Sequence, residues 1–399
     1  MQERARTVCV LGAAQTLAWA SSYYLPAMLA APMARDLGVT VPTVFAAFSA
    51  ALVVSAILGP YAGRAIDQLG GRPVLMGTNA VFALGLLGLG LAQGPAGLFA
   101  AWLVLGVGMG SGLYEAAFAA LVRLYGRDSR RVITGITLIA GFASTVGWPL
   151  STFLEAHWGW RSACFAWAAL HLFLGFPLNW SIPKVLHNTE PVATTHTSKT
   201  SEESAGTTRA AFLLALVFAI TWFISTAMAA HLPQLLIASG ATVAAAVAAA
   251  ALIGPAQVAA RLLEFGLLRR MHPLLSARLA SVMHPVGATV LIFAGAPAAA
   301  AFALLHGAGN GILTIAKGTL PLVLFAPQGY GERQGLLMVP ARIAQALAPW
   351  LFGVCLAKWG SNALWLSAAL GLVAFAALLL LRQNASEPSP SSAHAATTR

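Results

Sequence analysis

The chain has 399 residues, 58% of them hydrophobic and only 9% charged, with mean hydropathy +0.77. A soluble globular protein is about 45–50% apolar and about 25% charged, so a soluble fold is excluded and an integral membrane protein is expected. The net charge of +11 would suit nucleic acid only if the basic residues shared one surface, and their spacing along the chain argues for another cause.

A helix that crosses a bilayer needs about 20 mainly apolar residues. Twelve segments meet that length, near 8–31, 44–64, 74–93, 97–122, 132–154, 161–182, 210–232, 242–263, 275–295, 298–325, 334–356 and 361–381. The first is too long for a cleavable leader and lacks a small-residue cleavage site, so it is read as a span. Prolines and glycines recur inside the segments, as membrane helices allow where neighbours re-satisfy the backbone. Gly106, Gly108, Gly110 and Gly112 in span 4 are the densest case of small residues for close packing. Cys9, Cys164 and Cys355 lie far apart and predict neither a disulfide framework nor a metal site.

With the N-terminus placed in the cytoplasm, only Arg35, Arg161 and Lys358 fall on the outer side, and Lys317 and Arg342 fall within spans. All other Lys and Arg fall inside. This is the positive-inside bias, and it accounts for the basic charge without nucleic acid. The expected topology is twelve helices with both termini cytoplasmic, in the inner membrane of the cell.

Residues 184–209 form the one long polar interval before the tail. They read as a cytoplasmic linker between two six-helix halves, residues 1–183 and 210–382, with a disordered tail over 383–399. The halves echo each other. Gly59-Pro60, Arg64 and Asp67 match Gly254-Pro255, Arg261 and Glu264; Leu25-Pro26 matches Leu232-Pro233. Gly108-x-Gly110-x-Gly112 matches Gly307-x-Gly309-x-Gly311, and Gly135 and Pro149 match Gly335 and Pro349. The order is constant and the offset nearly so, as in two pseudo-symmetric halves.

The polar island Gly63-Arg-Ala-Ile-Asp67-Gln-Leu-Gly70-Gly71-Arg72-Pro73 joins spans 2 and 3. Its glycines allow a sharp turn, and Asp67 lies within pairing reach of Arg64 or Arg72. The island resembles the signature loop between helices 2 and 3 of the major facilitator superfamily, G-x-x-x-D-R-x-G-R-R. Gly63, Asp67, Gly70 and Arg72 match; Gln68 stands where Arg is usual, and Gly71 where Arg or Lys is usual. The run from Gly141 to Pro149 partly resembles the glycine–proline motif of antiporters in that superfamily, with Trp148 in place of a glycine. His231-Leu-Pro, Gly240 and Gly254-Pro-Ala-Gln257 leading to Arg261 resemble the bacterial monocarboxylate-porter-like branch.

The resemblance implies an all-α, twelve-helix fold with a central cavity lined by helices 1, 4, 7 and 10. It also implies secondary transport, often of small organic acids, driven by a proton or a counter-solute. In that frame Asp67, Arg64 and Arg72 belong to the conformational switch, with Asp67 pairing a charge of the opposite half when the inner gate closes.

An ionisable residue inside a span normally faces a cavity and a partner. Glu115, Lys317 and Arg342 stand out. The repeat and the implied cavity set Glu115 opposite Lys317, either as a structural pair or as a gate that makes and breaks. Burial without a partner penalises the charged form, which makes an unpaired Glu115 the candidate proton carrier. Arg342 then has no obvious acid. It is a candidate anion site, since a guanidinium matches a carboxylate in two places; alternatively it binds backbone carbonyls or Glu115 itself. Tyr23, Tyr24, His231, Asn310 and Gln345 complete the candidate solute site, with Tyr24 and His231 flanking the outer mouth.

No P-loop consensus, metal cluster or nucleophile elbow is present, so neither an enzyme nor a cofactor is expected. The partners expected are a small solute, the bilayer and a proton or counter-ion, with the protein a monomer. Efflux of drugs or another toxic solute is the alternative; it predicts a large aromatic cavity with little need of Arg342.

Overall fold

The computed structural model describes residues 2–184, 201–267, 271–325 and 328–381. These residues form helices and short connections, with no strand among them. The first group is α1 (Gln2–Ser21), α2 (Leu25–Asp36), α3 (Val41–Leu69), α4 (Gly71–Leu91), α5 (Pro95–Gly112), α6 (Tyr114–Tyr125), α7 (Ser129–Ala140), α8 (Ala143–Leu170) and α9 (Phe176–Trp180). The second is α10 (Ser201–Ala238), α11 (Val243–Ala251), α12 (Ile253–Gly266), α13 (Pro273–Ala294), α14 (Ala299–Leu324), α15 (Tyr330–Trp359) and α16 (Ala363–Leu380).

Nine stretches among the described residues are long and apolar enough to cross a membrane. Two of them, Ser129–Trp180 and Tyr330–Leu380, are twice the length of one crossing. Gly159 turns the first of these at φ 78°, and Gly360 turns the second at φ 56°; both angles favour glycine. With both divided, and the α1–α2 pair added, the crossings agree with the expected twelve.

Two sequence expectations change. The Gly63–Pro73 island is almost all helix: α3 runs through Leu69, α4 starts at Gly71, and Gly70 alone makes the turn at φ 87°. Residues 201–209 of the predicted linker are helical, as the first part of α10. Residues 185–200 and the predicted tail over 383–399 lie outside the described residues.

Several spans are interrupted where function gathers. α1 stops at Ser21 and α2 restarts at Leu25, with Pro26 in its first turn. Ser22 Oγ donates to the Ala18 carbonyl (2.5 Å), and the Tyr24 N–H donates to the Trp19 carbonyl (3.1 Å). The glycine string of span 4 ends in a second break, with Leu113 extended between α5 and α6. The carbonyl of Gly112 that this break exposes accepts from Gln15 Nε2 at 2.7 Å, as a backbone group buried away from water must find a partner.

One large apolar core belongs almost wholly to α1–α9, and three smaller ones to α10–α16. The two groups meet chiefly through α3, α6 and α7 on one side and α12, α14 and α15 on the other. α3 and α15 come close because both carry glycines four residues apart, Gly59 and Gly63 against Gly331 and Gly335. A Cβ on Gly63 would collide with the Gly331 carbonyl, and one on Gly335 with Pro60. Small residues let helix backbones approach in this way.

Candidate functional site

The centre of the molecule is built where the two groups face each other. Glu115 lies in the first turn of α6, so the unpaired N–H groups of the restarted helix favour its negative charge. Arg342, 3% exposed, reaches across from α15 and donates through Nη2 to Glu115 Oε2 at 2.8 Å. Its Nη1 donates to Gln345 Oε1 at 3.1 Å, and Gln345 Nε2 donates to the Tyr23 hydroxyl at 2.8 Å. The polar chain therefore runs from α6 to α15 and back to the α1–α2 break.

Lys317 is buried in α14 and does not pair with Glu115. Its Nζ lies 4.0 Å from the ring centroid of Trp222 in α10, and the Arg342 guanidinium lies 5.5 Å from the same ring. A desolvated cation over an indole gains about 2 kcal/mol, so Trp222 supplies part of what a carboxylate would. The expected Glu115–Lys317 pair is thus replaced by Glu115–Arg342. Arg342 bonds the carboxylate through one N–H of its planar guanidinium, a charge-assisted contact.

Aromatic rings wall the site. Trp19 and Trp222, from the two groups, lie parallel within 4° at 6.5 Å. Tyr23 contacts both, and Tyr24 packs on Trp19 and, edge-on, on Trp148. The indole N–H groups of Trp19 and Trp222 are buried without a hydrogen-bond partner. Two expected site residues stand apart. His231 Nε2 donates to the Pro349 carbonyl at 2.7 Å, and Asn310 uses its backbone carbonyl to accept from Thr314.

A second set of contacts lies at the face carrying both described ends of the chain. Arg4 pairs with Asp128 near the start of α7, and Arg278 donates to the carbonyls of Leu378 and Leu381 at the end of α16. On this face Asp67 accepts from the backbone N–H groups of Gly331 and Glu332, both at 3.0 Å, capping the start of α15. Arg64 pairs with Glu332. Across the pseudo-symmetric contact, Arg130 of α7 pairs with Glu264 of α12 at 2.9 Å and donates to the Met271 carbonyl. Arg261 donates to the Thr137 carbonyl near the end of α7 at 3.1 Å.

The two groups are therefore tied shut on the terminal face. Toward the other face, α2, α8 and α11 make no extensive contact across the divide.

The sequence model of one family, the Major Facilitator Superfamily, matches residues 11–285. The chain belongs to the Major Facilitator Superfamily. It is a multi-pass membrane transporter, and not an enzyme. An uncharacterized 38 kDa protein encoded in the 23S RNA operon of Thermoproteus tenax is 28% identical over 366 residues, covering 91% of this chain and 92% of that one. The solved structure of the transporter FucP in the outward conformation superposes with TM-score 0.74 at 15% identity, covering 94% of this chain and 98% of that one. The human organic anion transporter MFSD10 gives TM-score 0.68 at 16% identity, covering 94% and 99%. At such identity the likeness shows the fold.

The superfamily signature residues take roles that differ from the expected pairing within the island. Asp67 pairs with neither Arg64 nor Arg72 and instead caps a helix of the other group. Arg72 lies over the Trp180 ring at 5.6 Å. Glu332, Arg130 and Trp19 were not among the candidate residues of the sequence. Glu332 had a visible signal, an acid just before span 11. The Gly-x-x-x-Gly spacings Gly59–Gly63 and Gly331–Gly335 were also there to be read.

Proposed function

We propose that this transporter moves a small organic anion across the inner membrane by alternating access, coupled to a proton or a counter-solute. The observation that carries the reading is the buried Glu115–Arg342 pair. A carboxylate supplied by the protein already occupies the guanidinium that a solute carboxylate would take. Protonation of Glu115 frees Arg342, and the solute carboxylate replaces it. Lys317, whose ammonium lies over the indole of Trp222, adds a second cation facing the same rings.

The charge distribution supports cytoplasmic termini, so the tied face is the inner gate and the conformation faces outward. The halves, residues 1–183 and 210–382, rock about the site. Opening the inner side breaks the Asp67 cap and the Arg64–Glu332 and Arg130–Glu264 pairs. The aromatic wall also suits efflux of an aromatic solute, the second reading, but a neutral or cationic solute has no use for two buried cations.

The test is a thermal-shift screen of the purified protein against carboxylates, sugars, amino acids and cationic drugs, since a ligand bound to the folded state raises apparent stability. Carboxylates are expected to stabilise; stabilisation by cationic drugs alone contradicts the anion reading.

A further inference from the structure

A small chamber of about 10 Å³ lies beside the central ion pair, lined by Ser55, Ala56, Gly59, Gly110, Glu115, Gly335, Met338 and Arg342. That is about the volume needed for the centre of one water molecule, and far below what a solute needs. Ser55, which lines it, is 3% exposed, and its hydroxyl has no hydrogen-bond partner. A buried hydroxyl left bare costs free energy that a water would recover. Glu115 and Arg342 supply the further polar partners that such a water requires.

The chamber lies toward the tied face. Gly59 and Gly335, which line it, sit one turn from Gly63 and Gly331, where Asp67 closes the gate.

We infer that this chamber holds one ordered water, anchored by Ser55, which takes the proton of Glu115 and passes it toward the terminal face. The inference rests on the proton-coupled reading of Glu115. In the step, the Glu115 carboxylic O–H breaks, its proton joins the water to give hydronium, and the carboxylate returns to Arg342. Hydronium passes its proton to solvent when the gate opens, and the water is regenerated. The charged and titratable groups acting on Glu115 are Arg342 of α15, Lys317 of α14, Tyr114 of α6 and Tyr330 of α15. Of these, Arg342 makes the direct bond and stabilises the carboxylate that the step leaves behind.

Gly59 offers a clean test. A Cβ built on it meets only Gly335, at 3.9 Å, so Gly59→Ala puts a methyl group at the chamber without a clash. A high-resolution structure of the wild type is expected to show one water within hydrogen-bond distance of Ser55 Oγ; a dry chamber overturns the proposal. In proteoliposomes, Gly59→Ala and Ser55→Ala are each expected to lower the ratio of proton-driven net uptake to solute exchange by about tenfold or more. Exchange does not need the proton released, whereas a merely structural defect lowers both rates together.

A wild type that follows the proton gradient, with both variants keeping its ratio, overturns the relay alone. A wild type indifferent to the gradient overturns the relay together with the coupled reading beneath it.

Discussion

Glu115 and Arg342 lie 227 positions apart, on helices of opposite halves, and meet at 2.8 Å in the middle of the molecule. Each is the other's only ion-pair partner among the described residues. Taking two charges out of water costs several kcal/mol per ion, and removing one partner of a buried pair leaves the other uncompensated. The pair is therefore costly to hold and costly to break, which suits a site where a third group, the solute, takes one partner's place.

Arg342→Ala is expected to lower stability by about 3–5 kcal/mol by stranding Glu115. Adding Glu115→Ala should recover much of that loss, as read by thermal unfolding. Anion affinity should fall by about 10- to 100-fold in both, because a hydrogen bond to a charged group contributes about 1.5–3 kcal/mol. Unchanged affinity in the double variant would remove Arg342 from the solute site. The exchange that tests direct pairing is Glu115→Arg with Arg342→Glu, since Arg342 and not Lys317 bonds Glu115.

Trp222→Leu removes the ring beneath Lys317 and Arg342, and about 2 kcal/mol of cation–π attraction with it. Anion affinity should fall by about 30-fold, and Trp222→Phe should restore part of it. Equal binding by the Leu and Phe variants would mean that the ring's face contributes nothing.

At the terminal face, Asp67→Asn replaces a charged cap of α15 by a neutral one, at a cost of about 0.5–2 kcal/mol. The population open on that face should rise by about two- to thirtyfold. Spin labels at the terminal-face ends of α6 and α12 would report it as a longer distance. Gly63→Ala, whose methyl group has no room against the Gly331 carbonyl, should open that face further. A shorter distance in either variant would contradict the gate.

His272 lies outside the spans, between α12 and α13, and its Nδ1 accepts the Leu274 N–H at 3.2 Å as the cap of α13. Desolvation, then Arg130 and Arg278, hold its pKa below the ordinary 6.5. A depressed folded value means the neutral form is favoured by folding. The contribution is present above pH 6.5 and fades as pH falls toward the folded value. His272→Asn, which caps without titrating, should unfold with a shallower pH slope than the wild type across that window; equal slopes would exclude His272 as the cause.

Much of the fold was legible because bilayer thickness sets span length, and because charge cannot be hidden in lipid. Glu115, Lys317 and Arg342 stood out for that reason. Their pairing did not: Glu115–Arg342, the pair the structure shows, was one alternative beside Glu115–Lys317. Sequence spacing placed Glu115 and Lys317 at equivalent depths, but depth does not fix the direction of a side chain, and the break at Leu113 decides where Glu115 points. The island at Gly63 read as a loop because glycine and charge are loop-like. In the structure Arg64 and Asp67 bind the other half, Arg72 lies over Trp180 of its own, and the helix runs on to Leu69. Trp19 and Ser55 carried no signal, since an indole or a hydroxyl in an apolar run is usually packing.

In the proposed cycle, protonated Glu115 yields Arg342 to the anion. Calorimetric titration of the purified protein with a stabilising carboxylate, repeated in buffers of different ionisation enthalpy, counts the protons taken up on binding. The account predicts about one proton per anion in the wild type above neutral pH and none in Glu115→Gln. No proton uptake by the wild type, or the same uptake by Glu115→Gln, would contradict it.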